Sequence, residues 1–579
     1  MAFIRVYTEK ITENKYPASL AHSVHFAVSR EGKSYQSLNQ GYGILFARAA
    51  VREDNTIAER GIQNPRLRKE GEEYLIYAEP LDENWAPLEG GYLVWKTKDF
   101  VCFSQQEWVE NAPGAGEREK PEAASGAGER EKPETVSGAE GHGKPGTAST
   151  AEGQEKSGTW PVAEELEIPE ELLAGIYERW IPLYSVSAQA PAEVRIKSLD
   201  ELERVRVRVT YSDDSSDDKP VSWKRESLIS LDDGKYRVKG TMEPVNTGFP
   251  LAAGYADPVL FFWKGAWYFL ATNDNVNDIG LFVRRSDTVA GLFAEDVKEY
   301  CILEYNEEKG FCQTFWAPEF HVIGGALYIL FAVGGKQWAP QCHMMRLKEG
   351  GEITDPASWE EPVRVCRADG RPLTEDGITL DMTYFEAGEN SYVCWSYRYG
   401  IGTPKDTGSM LYIATVDDGC PYRLTSEPVL LSRPLYGWEN TSGTINNEGP
   451  YALILGDTVY LSYSGGDACG YYYAVGCLTA FAGSDLLDAG NWTKLPTPVL
   501  SSSSIEGIQG PGHNSFFRDE QGRLMIAYHA QEREKHFKRC SAFHRVHLSK
   551  SGFPLLNVAG ERDLAEELRE VELTFTMES

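Results

Sequence analysis

One pattern recurs five times in the second half of the chain and restricts its fold more than any other feature. The units begin ADPVLFFWKGAWYFLAT, APEFHVIGGALYILFAV, LDMTYFEAGENSYVCWSY, EGPYALILGDTVYLSYS and GPGHNSFFRDEQGRLMIAYHA. Each is a strand, a turn containing Gly, Asn or Asp, and a second strand. One or two further strands follow, such as IGLFVRRSD, GSMLYIATVD and YYYAVGCLTA. Counted from Pro258, the units return at Pro318, Asp381, Pro450 and Pro511, a period of about 60–70 residues. Four-stranded units at a fixed period are the signature of a propeller, so an all-β chain with a five-bladed β-propeller over residues 246–548 is expected.

The rest divides by composition. Residues 112–159 carry GAGEREKPE twice and a looser GAEGHGKPG, a Gly/Pro/Glu/Lys tract with no apolar periodicity. Such a tract buries too little surface to fold, and a disordered linker is expected there. Residues 1–111 read as an N-terminal β module. Within it, IQNPRLRKEGEEYLIYAE looks like a sixth, decayed copy of the repeat, with Asn64-Pro65 where the first copy has Asp257-Pro258. An amide is no general base, so that copy is expected to be structural. Residues 160–245 alternate strictly in VRVRVTYSDD and end in a Gly-x-Tyr-x-Val-x-Gly strand. This stretch resembles a bacterial immunoglobulin-like β-sandwich with Trp223 as its core ring. Residues 549–579 read as an acidic C-terminal extension.

Charge and composition narrow the function. The formal charge of −30 argues against nucleic acid and against an anionic membrane, but leaves a neutral substrate untroubled. Aromatic residues are 12% of the chain, with 14 Trp and 30 Tyr, which suits short strands and also stacking on sugar faces. The ten cysteines are scattered without a CxxC, and most lie in apolar runs; they read as reduced, buried small residues. No apolar run of about 18 residues exists, so no membrane span is expected. The start, MAFIRVYTEKITENKYPASL, lacks the basic-then-apolar pattern of a secretory signal, and a cytoplasmic protein is expected.

The first strand of each propeller unit lines the central channel, and its polar heads converge there. Those heads are Asp257, Glu319, Asp381, Glu448 and His513. Two carboxylates across a pocket suit glycosidic bond cleavage: one, its pKa raised, protonates the leaving oxygen, and the other, ionised, activates water or attacks carbon. A third carboxylate raises the acid's pKa by like-charge repulsion.

The ordered motifs YADP, FWAPEFH, LDMTYFE, INNEGP and GPGHNSF make residues 250–548 closely similar to glycoside hydrolase family 43, whose members act on arabinose- and xylose-containing polysaccharides. The resemblance implies Asp257 as general base, Asp381 as pKa modulator and Glu448 as general acid of an inverting reaction. It also implies Trp316 as a wall of the sugar pocket, Arg539 as a substrate-binding cation near the acid, and His513 as a contact to a channel calcium ion. Glu319 is expected to brace the inner strands. The fuller motif set looks like the exo-acting α-L-arabinofuranosidases, which release terminal arabinofuranosyl residues from oligo- or polysaccharides. A β-D-xylosidase and, from another class, a non-catalytic carbohydrate-binding propeller are the alternatives.

Overall fold

The computed structural model describes residues 1–12, 15–110, 164–231, 233–245, 249–531 and 538–578. The expected linker over 112–159 lies outside the described residues. Among them no helix is long and apolar enough to cross a membrane, and all ten cysteines are free.

Each of the five repeats forms one four-stranded antiparallel sheet. Their inner strands are Tyr255–Trp263, Gln313–Ile323, Ile378–Ala387, Asn447–Leu455 and Gln509–Arg518. The sheets pack face to face in sequence order, because each has apolar side chains on both faces. Leu270 and Val283 of the first meet Phe320 and Ile329 of the second. Leu330 and Met344 of the second meet Met382 and Trp395 of the third. Leu411 and Ile413 of the third meet Leu461 and Tyr463 of the fourth, and Val475 of the fourth meets Ile526 and Tyr528 of the fifth. Phe517 and Met525 of the fifth then meet Leu260 and Phe269 of the first, which closes the ring. A further tie comes from Ala252–Ala253, just ahead of the first sheet, which pairs with Cys540 and Ser541 as the outer strand of the fifth.

A shared irregularity aims the inner strands. Each breaks register near its start, and there a residue adopts positive φ: Asp257 (53°), Ala317 (46°), Asp381 (54°), Gly449 (57°) and His513 (46°), with Thr314 (56°) and Gly510 (59°) adding a second in the second and fifth sheets. A bulge of this kind bends the strand and turns a side chain out of the pleat, here toward the middle of the ring. For a non-glycine residue the conformation costs roughly 1–2 kcal/mol. The chain accepts that cost at Asp257, Asp381 and His513, three of the five expected heads.

The strand pairing divides the remaining chain differently from the sequence boundaries. The N-terminal sheet of Ala2–Tyr7, His25–Ser29 and Gln36–Ser37 takes its fourth strand from Glu164–Ile168, beyond the linker. The suspected sixth copy is a four-stranded sheet, Gly61–Glu70, Glu73–Leu81, Tyr92–Thr97 and Glu107–Val109. It has the same bulge, with Asn64 at φ 49°. It packs on the N-terminal sheet through Ile4, Phe26, Ile62 and Ile76 rather than joining the ring. Asn64 spends its amide on Glu79, at 2.8 Å. Residues 185–241 form two sheets, but the second is completed by Glu570–Met577, which pairs with both Lys235–Thr241 and Arg195–Ile196. The expected C-terminal extension is therefore an interior strand, with Leu573 and Phe575 buried against Val238. Trp223 is only partly buried and packs at both cores of this two-sheet module.

Candidate active site

The bulges gather the site. Asp257, Asp381 and His513 occupy the left-handed position of their strands, whereas Glu448 and Trp316 stand one residue before it, ahead of Gly449 and Ala317. Asp257, Asp381, Glu448 and His513 are all buried.

Asp257 is held from several sides. The Thr272 hydroxyl donates to Oδ2 at 2.5 Å. That hydroxyl accepts the Ala317 N–H at 2.8 Å, so its single proton is committed to the carboxylate. The Asp257 N–H donates to His529 Nδ1 at 3.2 Å, and His529 Nε2 faces the Ala468 carbonyl at 3.1 Å. These partners assign the tautomer with the proton on Nε2. Oδ1 lies 3.1 Å from the same Nδ1, 3.2 Å from His513 Nδ1 and 3.6 Å from Arg539 Nη1. Yet Oδ1 accepts no hydrogen bond from the described residues. Burial alone would raise the Asp257 pKa, but its positive neighbours, His513 and Arg539 foremost, reverse this and hold it well below the usual carboxylate range. Burial pushes His513 itself down to about 4, so near neutral pH the lasting positive charge is that of Arg539.

Arg539 was expected near the acid. Its direct contacts are Asp257 and Asp274, the latter held by Nε at 3.0 Å and Nη2 at 2.5 Å. Its charge nonetheless reaches Glu448. Trp316, half-buried, donates its indole N–H to Asp278 Oδ2 at 2.9 Å. Asp278 feels the charges of Asp274 and Arg539, which links Trp316 to the arginine.

The other two acids behave in the opposite way to Asp257. Glu448 accepts the Tyr473 hydroxyl at 3.0 Å on Oε1, and Tyr473 stacks on His529 at 5.4 Å with 11° between the planes. Burial raises Glu448 to about 7, with the charge of Asp257 adding to the rise. Asp381 accepts the Gly449 N–H at 3.1 Å on Oδ2. Burial, then repulsion from Glu448 and Asp257, raises it well above the usual range. Two buried acids that repel each other retain a proton between them near neutral pH.

Glu319 lies two residues past the bulge and pairs with His321 Nε2 at 2.6 Å, as a residue bracing the strand would. His513 Nδ1 is turned to Asp257. Among the described residues no group of three or more His, Cys, Asp or Glu side chains is arranged to hold a metal ion. Sequence reading missed Thr272, Tyr473 and His529. Thr272 and His529 sit inside second strands and Tyr473 immediately precedes a third, all in runs whose pattern is that of ordinary core.

The model of the family described as "Glycosyl hydrolases family 43" matches residues 245–554. Over 285 residues the chain is 34% identical to the "Extracellular exo-alpha-(1->5)-L-arabinofuranosidase" of Streptomyces chartreusis, covering 49% of this chain and 82% of that protein. It is 33% identical to the protein of the same name from Streptomyces avermitilis, of which it spans about half, covering 48% of this chain and 55% of that one. Among solved structures it is similar to "alpha-L-arabinofuranosidase from Lactobacillus brevis", at 29% identity and a TM-score of 0.47, over 54% of this chain and 96% of the other. Two of these relatives are named extracellular, which overturns the expectation of a cytoplasmic protein.

Proposed function

Because the chain belongs to glycosyl hydrolases family 43 and is a glycoside hydrolase, we propose that its site releases terminal α-L-arabinofuranosyl residues by general acid/base catalysis with inversion. The observation that carries this reading is the split in protonation. Asp257 is held well below the usual carboxylate range with Oδ1 accepting no hydrogen bond among the described residues, while Glu448 is raised to about 7. One group is thus set to take a proton and the other to give one.

In this reading the ring of sheets is a five-bladed β-propeller and the two-sheet module beside it an immunoglobulin-like spacer. Water held at Oδ1 of Asp257 loses its proton as it attacks the anomeric carbon. Glu448 protonates the departing oxygen, and Asp381 keeps Glu448 protonated until that moment. Thr272 and His529 fix the base, Tyr473 fixes the acid, and Trp316 walls the sugar. The curated relatives' names support arabinose over xylose as the released sugar.

The test combines specificity, stereochemistry and mutation. Aryl α-L-arabinofuranoside should be hydrolysed in preference to aryl β-D-xylopyranoside, and proton NMR of the first turnovers should show the β anomer of arabinose. Asp257→Ala should lower kcat by about a thousandfold or more, and Glu448→Gln should do so on natural arabino-oligosaccharides, whose poor leaving groups need the acid. Retention at the anomeric carbon, or an active Asp257→Ala, would sink the mechanism.

A further inference from the structure

We propose that the cleft between the N-terminal module and the outer edge of the ring is a second carbohydrate site, which takes sugars bearing carboxylates, that is, uronic acid residues. The inference rests on the reading of the chain as an enzyme acting on polysaccharide-derived substrates. The cleft has a volume of about 670 Å³ and runs from residues 101–106 and the helix Leu172–Trp180 to the third and fourth sheets. From those sheets come Leu431–Ser432 and Thr493–Lys494, their outermost strands. The cleft is thus on the rim, away from the inner-strand heads.

Its lining is unusual for this chain. Aspartate and glutamate outnumber lysine and arginine by 87 to 57, yet the described residues lining the cleft include Arg48, Arg179, Arg433 and Lys494 and no acid. The partly exposed rings of Tyr460 and Phe553 supply aromatic wall, with the buried Trp95, Trp180 and Trp492 behind them. Flat rings offer stacking surface to sugar faces, and a guanidinium matches a carboxylate bidentately.

Arg179 carries the argument furthest. Its guanidinium is 4.5 Å from the Trp180 ring centroid and 4.9 Å from that of Phe553. The Trp180 ring is fixed by its N–H donating to the Phe100 carbonyl at 2.7 Å. Among the described residues Arg179 has neither a hydrogen bond nor a carboxylate partner, and burial draws its pKa down to about 10. Among the described residues Arg433 donates to Asn55 alone, at 3.1 Å to the side-chain oxygen. Lys494, in contrast, is already paired with Glu439 at 2.5 Å. A partly exposed guanidinium clamped between two rings, with no counter-charge among the described residues, fits an anionic ring-bearing ligand.

The test uses the full chain and a galacturonic acid trimer as probe, followed by titration calorimetry, with a neutral arabino-oligosaccharide alongside. Wild type should bind the acidic trimer, more weakly in about 0.5 M salt. Arg179→Gln and, independently, Arg433→Gln should each weaken binding by about tenfold or more, while aryl arabinoside hydrolysis stays at the wild-type rate. Glu448→Gln should bind the trimer as wild type does. Absence of binding, wild-type affinity in either arginine variant, or loss of binding in Glu448→Gln would overturn the proposal. Hydrolysis is read separately, so failure of the second site is distinguishable from failure of the proposed activity.

Discussion

At the scale of single residues, the site depends on three buried carboxyls being kept in unlike states. The charges of His513 and Arg539 hold Asp257 far below the ordinary carboxylate range, and of the two Arg539 keeps its proton throughout. Glu448, raised to about 7 by burial and close enough to Asp381 to repel its charge, must carry its proton to act. The rate kcat/KM should therefore be high below neutrality and fall as pH rises through about 7, with no acid limb from Asp257 in the ordinary range. Tyr473 refines this expectation. Its hydroxyl bond to Oε1 favours ionised Glu448, so Tyr473→Phe should move the alkaline fall to higher pH, while the acid side stays in place. A pH profile of both enzymes checks this; an unmoved limb would mean that some other group governs it.

At the scale of strands, the repeated bulge converts a β-sheet edge into a site. Gly449 shows the constraint most sharply, since φ is 57° and a Cβ there would stand 3.0 Å from the His513 ring. Gly456, in the turn of the same sheet, has the same φ but open space. Gly456→Ala should cost about 1 kcal/mol from backbone strain alone and leave kcat intact. Gly449→Ala should cost about 1–3 kcal/mol and also lose activity, because His513 and the Gly449 N–H to Asp381 both shift. Urea midpoints with parallel rate measurements separate the two, and equal behaviour would remove the close approach from the account. The heads Asp257, Asp381, Glu448 and His513 were legible in the sequence because a polar residue at the start of an apolar strand breaks the pattern at every repeat. The one-residue offset that sets Glu448 and Trp316 apart from Asp257 was not, because a bulge leaves no mark when several residue types take positive φ. Tyr473 in YYYAVGC and His529 in IAYHA were hidden for a different reason: a buried ring in or beside a core strand looks the same whether it packs or orients a catalytic group.

At the scale of the whole molecule, sequence order and spatial order part company. Composition marks where the chain changes character, but strand partners far apart in sequence carry no local sign, so the return of Glu164–Ile168 to the N-terminal sheet and of Glu570–Met577 to the two-sheet module was not legible. The last crossing is fastened by a buried ionic cluster. Lys219, fully buried, lies 2.8 Å from both oxygens of Asp563, which also accepts from Tyr211 and the Val245 N–H and faces His547 at 3.0 Å. These contacts bind the two-sheet module to the segment that follows the ring. Burial would raise Asp563, but His547 and Lys219 overcome it and hold the carboxyl far below its ordinary value. A carboxyl with a depressed folded pKa contributes stability that is present above the unfolded value of about 4 and is lost as pH falls below it. Asp563→Ala leaves the Lys219 ammonium, among the described residues, with Asp217 alone at 3.6 Å, and so should cost about 3–5 kcal/mol at pH 7. The gap between variant and wild type should narrow steadily below about pH 4. Urea unfolding of both at neutral and acid pH measures it. A gap that is small at pH 7, or the same at both, would mean that apolar packing of Leu573 and Phe575 holds the crossing without help from charge.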